Sequence, residues 1–128
     1  MPAERTSSTV LVVDDDDLDR FLVKLMLDSA GYRVVEASSA EAALDMIRDA
    51  QRPDAMIVDY VMDGMDGVEL CQRVRAQEAL RDLPILMRTG VDNRHGLARA
   101  RAAGVNQLLP KSSDPAPLLA LLAQALGR

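Results

Sequence analysis

Three runs in the chain are apolar at every position over the length of a strand: Val10–Val13, Ala55–Val58 and Pro84–Met87. Strand side chains alternate between two faces, so a strand with no polar side must be covered on both. A parallel sheet packed between two layers of helix meets that requirement. Two weaker runs of the same length, Tyr32–Ala37 and Val105–Leu109, bring the number of strands to five. Helix-period segments stand between them. Leu18, Phe21, Leu22, Leu25, Met26 and Ala30 mark one face of the first, the kind of stripe by which an amphipathic helix packs on its sheet, and Gly31 supplies a C-cap. Ser39 or Ser38 opens the second, Ser38 and Glu41 having capping-box spacing, with Ala43, Leu44 and Ile47 inward. Val68, Cys71 and Val74 suit a third helix, Leu97 and Ala100 to Ala103 a fourth, and Leu118 to Leu126 a fifth. Five strand–helix pairs in strict alternation give an α/β fold: one parallel sheet, helices on both faces, right-handed crossovers. In such sheets ligands gather beyond the carboxyl ends of the strands.

The residues at those ends carry the chemistry. Strand 1 runs into Asp14-Asp15, strand 3 into Asp59, strand 4 into Thr89-Gly90, and strand 5 into Lys111 after Pro110. Composition removes most competing sites. One cysteine, Cys71, allows neither an internal disulfide nor a cysteine metal cluster, and one histidine, His95, allows no histidine-based triad or metal site. Aromatics at 2% leave no stacking platform, and a net charge of −5 argues against direct nucleic-acid binding. At 128 residues, 48% apolar and 27% charged, the chain reads as one globular domain. Residues 1–8 lack the apolar core of a signal peptide, and no run approaches a membrane span, so a cytoplasmic protein without membrane contact is expected.

Three carboxylates brought to one sheet edge repel, and one takes up a proton unless a cation sits among them. A hard oxygen site with few protein ligands suits Mg²⁺, whereas Zn²⁺ asks for histidine or cysteine. A lysine and a hydroxyl beside such a cluster make sense if a phosphoryl group arrives, and carboxylate attack on phosphorus yields an aspartyl phosphate. Asp16 and Asp17, the remaining acids of the DDDD run, suit a turn and the N-terminus of helix 1.

Four segments in order, VLVVDDD (10–16), PDAMIVDYVMDGMDGVEL (53–70), LPILMRTG (83–90) and GVNQLLPKSSDP (104–115), resemble the response-regulator receiver domain of two-component signalling over essentially the whole chain. The resemblance implies a flavodoxin-like (βα)5 fold with strand order 2-1-3-4-5. It makes residues 1–8 a flexible N-terminal segment and 9–128 the receiver, either free-standing or the N-terminal part of a longer regulator. By motif position Asp59 is the phosphoacceptor. Asp14, Asp15 and Asp59 hold Mg²⁺ with the backbone carbonyl of Val61, and Thr89 and Lys111 meet the phosphoryl group. The implied function is a phosphorylation-controlled switch, not an enzyme beyond its own phosphorylation and dephosphorylation. Its donor is a sensor histidine kinase or a histidine phosphotransfer protein. The implied output, a protein target or a homodimer, uses helix 4, strand 5 and helix 5. The alternatives are a receiver-like module that works without phosphorylation and, more distantly, an aspartyl-nucleophile phosphohydrolase. The latter would place a second acid where Val61 stands. Four positions depart from the family pattern: Leu108 for an aromatic, Ser112 for proline after the lysine, Asp63 for proline in the acceptor loop, and Gly90 for alanine. Arg88 replaces the apolar residue usual before the threonine; it reads either as a snorkelling strand-end residue or as a partner contact.

Overall fold

The structure is a computed structural model that describes residues 8–49, 52–90 and 94–127. Apart from Ser8, the N-terminal segment 1–8 lies outside the described residues. Strands β1 (Thr9–Val13), β2 (Arg33–Ala37), β3 (Ala55–Asp59), β4 (Ile85–Thr89) and β5 (Gln107–Pro110) alternate with helices α1 (Asp17–Ser29), α2 (Ala40–Asp49), α3 (Gly67–Arg75), α4 (Arg94–Ala102) and α5 (Ala116–Ala125). A 3₁₀ turn, Glu78–Leu80, precedes β4. All pairings are parallel, in the order β2-β1-β3-β4-β5, as the resemblance implies. β3 and β4 are buried at every position, and β1 at all but its first residue.

The alternation of strand side chains divides the interior into two layers. Leu11, Val13, Met56, Val58, Ile85 and Met87 pack with Ala43 and Ile47 of α2, Val68, Cys71 and Val74 of α3, and Ala100 of α4. On the other side, Val10, Val12, Ile57 and Leu86 meet Val23 and Leu27 of α1 and Leu118 and Leu122 of α5. The Cys71 thiol donates to the Ala103 carbonyl at 3.2 Å, and burial pushes its pKa up against the pull of Arg75, so it is an inert core residue.

Helix 1 is a correction. Its expected core face points outward: Leu18 is 65% exposed, Phe21 51%, Leu22 41% and Leu25 44%. The sheet is met instead by Val23 and Leu27, with Met26 half-buried beside them. The N-cap and an arginine account for the rotation. Asp16 caps the helix by accepting the Asp19 N–H, three residues beyond β1. One turn on, Arg20 points back to the sheet edge, donating to the Asp14 carbonyl at 2.7 Å and to Glu36 at 3.1 Å. That anchor puts the Arg20–Val23–Leu27 face inward and the longer apolar stripe in water.

Caps set the ends of the elements, at Gly31 as expected. Gly31, at φ 91°, closes α1: its N–H reaches the Asp28 carbonyl while the Tyr32 N–H reaches Leu27, a Schellman pattern. Helix 2 starts from Ser39 rather than Ser38, the Ser39 hydroxyl accepting the Ala42 N–H at 3.0 Å. Strand 5 begins at Gln107 instead of Val105 because the Val105 N–H is taken by the Ala100 carbonyl in closing α4. Val105 remains in the core.

Candidate phosphoacceptor site

Parallel strands end on the same edge, and the end of each of β1, β3, β4 and β5 delivers one of the residues singled out above. Asp14 and Asp59 are buried, 2% and 4% exposed. One carboxylate oxygen from each of Asp14, Asp15 and Asp59 lies within 4.8 Å of the others. The Lys111 ammonium donates to Asp59 Oδ2 at 3.0 Å and stands 3.6 Å from Asp19. Thr89 is buried beside them, its carbonyl accepting the Lys111 N–H at 3.2 Å. Val61 is exposed in the loop that follows β3. The structure therefore gathers the expected residues at one edge, with Val61 at its rim.

The electrostatics show what the cluster lacks. Burial raises the Asp14 carboxyl to about 6; the Asp16 N–H, donating to Oδ1 at 2.9 Å, lowers it, and the charge of Asp59 raises it again. Burial would lower the Lys111 ammonium, but its bond to Asp59 and the surrounding carboxylates leave it raised. Asp59 Oδ1 is buried with no hydrogen-bond partner, the one such side-chain atom among the described residues. Buried polar atoms are normally satisfied, so an orphaned oxygen on a carboxylate clustered with two more carboxylates marks a place for a cation. The donors are all oxygens, which suits a hard cation such as Mg²⁺.

Several supports were not assigned from sequence. Asp15 Oδ2 accepts the Asp63 N–H at 2.8 Å. Proline, the residue usual in the family at that position, has no N–H to give, so this departure adds a tie between the ends of β1 and β3. Asp19, one turn into α1, contributes to the charge around Lys111. Arg88 is 8% exposed, and its Nη1 lies 4.0 Å from Asp14 Oδ2, so the strand-end side chain reaches the acid cluster rather than open solvent. The signal was there, as the single charge inside LPILMRTG, but its meaning depends on which face of β4 it occupies.

Two glycines that follow β3, Gly64 and Gly67, differ in role. Gly64 has φ 77° and supplies the turn. Gly67 begins α3 against β3: a Cβ there would collide with the Asp59 carbonyl oxygen and sit 3.1 Å from Val58 Cγ1. Asp66 caps that helix through the Glu69 N–H at 2.8 Å, while the Gly67 N–H holds the Tyr60 carbonyl at 3.1 Å. Gly67→Ala should therefore lower stability by about 1–3 kcal/mol through overpacking on a backbone that cannot yield. Gly64→Ala, with nothing closer than 3.8 Å, should cost about 1 kcal/mol from its left-handed backbone alone. Urea unfolding of both variants checks the order.

The receiver-domain profile of response regulators matches residues 10–123. Among curated proteins, the phosphate regulon transcriptional regulatory protein PhoB of Pseudomonas aeruginosa is 31% identical over 120 residues, which are 94% of this chain and 52% of PhoB. The response regulator MprA of Mycobacterium bovis is 38% identical over 122 residues, 95% of this chain and 52% of MprA. The chain thus spans about half the length of the curated relatives it matches. Among solved structures, chemotaxis protein CheY4 of Vibrio cholerae superimposes with a TM-score of 0.88 at 33% identity, covering 94% of this chain and 99% of that one. The receiver domain of sensor histidine kinase PA1611 from P. aeruginosa, with a magnesium ion coordinated in its active-site cleft, gives 0.87 at 29% identity, covering 95% and 99%. With the sheet order, the strand-end acids and the sequence match in agreement, this chain belongs to the response regulator receiver domain family.

Proposed function

We propose that Asp59 accepts a phosphoryl group from a phosphohistidine donor, with Mg²⁺ held by Asp14, Asp15, Asp59 and the backbone carbonyl of Val61. The observation that carries this reading is the Asp59 carboxylate, one oxygen on Lys111 and the other buried without a partner. Bound there, the cation would offset the repulsion among the three acids and the charge of the incoming phosphoryl group. The magnesium ion in the PA1611 receiver supports the choice of metal.

One Asp59 carboxylate oxygen forms the new bond to phosphorus as the bond from phosphorus to the donor imidazole nitrogen breaks. The imidazole leaves with that electron pair and takes a proton from water. Lys111 is placed to pass from Asp59 to a phosphoryl oxygen, and the Thr89 hydroxyl to donate to another. Their reorganisation on phosphorylation is the switching event, read out on the face formed by α4, β5 and α5. That face presents exposed Ala116 and Ala120 on α5, and a cavity of about 430 Å³ lined by Thr89, Leu97, Leu108 and Lys111 opens beside the threonine. Such a face suits a protein target or a second copy.

Intact mass after treatment with acetyl phosphate and Mg²⁺ tests the assignment. One added phosphoryl group is expected, absent with EDTA and absent in Asp59→Asn. Full labelling of the variant would sink it.

A further inference from the structure

Arg88 is the least expected residue of the site. It lies inside a strand buried at every position, and its Cα pairs in register with Asp59. Its carbonyl accepts the Tyr60 N–H at 2.9 Å, so its backbone holds the start of the loop after the acceptor. Its side chain emerges on the α1–α5 side of the sheet, beside the hollow where Met26, Lys111 and Ser112 meet. Within 4.0 Å its one ion pair among the described residues is with Asp14. A guanidinium stays charged, and at such depth a nearby anion offsets part of the cost of burying it.

The charge count around the cluster follows. Among the described residues two cations lie within 4.0 Å of the carboxylates of Asp14, Asp15 and Asp59: Lys111, 3.0 Å from Asp59, and Arg88, 4.0 Å from Asp14. With an apolar residue at 88, Lys111 alone would remain within that distance of them, Arg20 holding the Asp14 carbonyl rather than its carboxylate. Arg88 therefore supplies from within the sheet part of the positive charge that a divalent ion would otherwise bring. It also opposes that ion, because two cations near one carboxylate repel each other.

We propose that Arg88 is a positioning residue that acts as a built-in counter-cation of the acid cluster: it holds Asp14 in place in the metal-free protein and weakens the binding of Mg²⁺. The inference rests on the metal reading above. The site would then fill only at a higher Mg²⁺ concentration than it would with an apolar residue at 88, with the metal-free cluster kept in order by the protein itself.

The test is Mg²⁺ affinity by calorimetry on the full chain at pH 8 and low salt, where proton competition is small, for wild type, Arg88→Met and Arg88→Lys. Removing one unit charge a few ångströms from the ion should tighten binding about tenfold in Arg88→Met. Arg88→Lys, which keeps the charge, should stay within about threefold of wild type on the same scale. A side chain that only filled space would give the opposite sign, since a disturbed site binds its ion more weakly. The melting temperature in EDTA should fall in Arg88→Met and recover with Mg²⁺. Should the methionine variant fail to fold, Arg88→Gln carries the same comparison. Wild-type binding with no gain in the neutral variant overturns the inference and leaves the metal reading standing. No heat of binding in wild type or in either neutral variant overturns both.

Discussion

Asp14→Asn should make the metal-free protein more stable while removing its response to Mg²⁺. Burial raises the Asp14 carboxyl to about 6 from an ordinary 3.8. Between those values the folded chain keeps a proton that the unfolded chain has released. Protonation therefore favours folding, and stability declines as pH rises through that window and stays reduced above it. A shift of this size corresponds to about 2–3 kcal/mol. Lys111 does not confuse the reading: its pKa is also raised, but its contribution is lost only as pH climbs past the ordinary lysine value of 10.5. Asparagine imitates the neutral carboxyl at every pH. In EDTA, Asp14→Asn should thus exceed wild type at pH 7.5 by about 2 kcal/mol and match it near pH 4. In Mg²⁺ at a hundred times its dissociation constant, wild type should gain about 2.7 kcal/mol and the variant little, so the order levels or reverses. Thermal unfolding at the two pH values, with and without Mg²⁺, provides the four numbers. A variant less stable than wild type in EDTA at pH 7.5 would contradict the account.

The same physics explains how much of the site could be read from the sequence. Val10–Val13, Ala55–Val58 and Pro84–Met87 are apolar on both faces, and a parallel sheet covered by helices on both sides, as the strict strand–helix alternation implies, satisfies that. Once the strands are parallel, their last residues share an edge by topology, so Asp14, Asp15, Asp59, Thr89 and Lys111 converge without any knowledge of side-chain contacts. What depends on rotation about an element's axis was less legible. The stripe of Leu18, Phe21, Leu22 and Leu25 is the stronger apolar pattern on α1, yet the helix phase follows the Asp16 cap and the reach of Arg20 to the Asp14 carbonyl. Amphipathic periodicity locates a stripe but does not say what covers it. Arg88 is the parallel case in a strand: one side of β4 would have taken it toward α3 and α4, the other takes it to Asp14. That the Asp59 carbonyl fills the space of the side chain Gly67 lacks depends on packing between α3 and β3, which no local pattern shows.

The exposed stripe on α1 leads to the second large effect. A phosphohistidine can transfer to Asp59 only if the donor's surface borders the mouth of the site, and α1 starts two residues beyond the Asp14-Asp15 pair. Leu22 of the stripe lines the same hollow as Asp19, Lys111 and Arg88, so apolar surface and site mouth are continuous. Leu18, Phe21, Leu22 and Leu25 recur at helical spacing, the arrangement that packs against a helical partner. We therefore expect Phe21→Glu with Leu25→Glu to slow transfer from the cognate kinase or phosphotransfer protein by at least about tenfold, since apolar anchors of this kind carry most of an interface's energy. Labelling by acetyl phosphate should stay within about twofold of wild type, because a small donor needs no docking surface. Folding stability should hold or rise, the replaced side chains being in water already. Ala120→Glu, on the exposed side of α5, supplies the contrast: it should spare donor transfer and weaken whatever output α4, β5 and α5 provide. Equal loss with both donors would mean that the substitutions reached the site itself. Unchanged transfer from the protein donor would remove α1 as its dock, and sedimentation would then show whether the stripe pairs two copies of the chain instead.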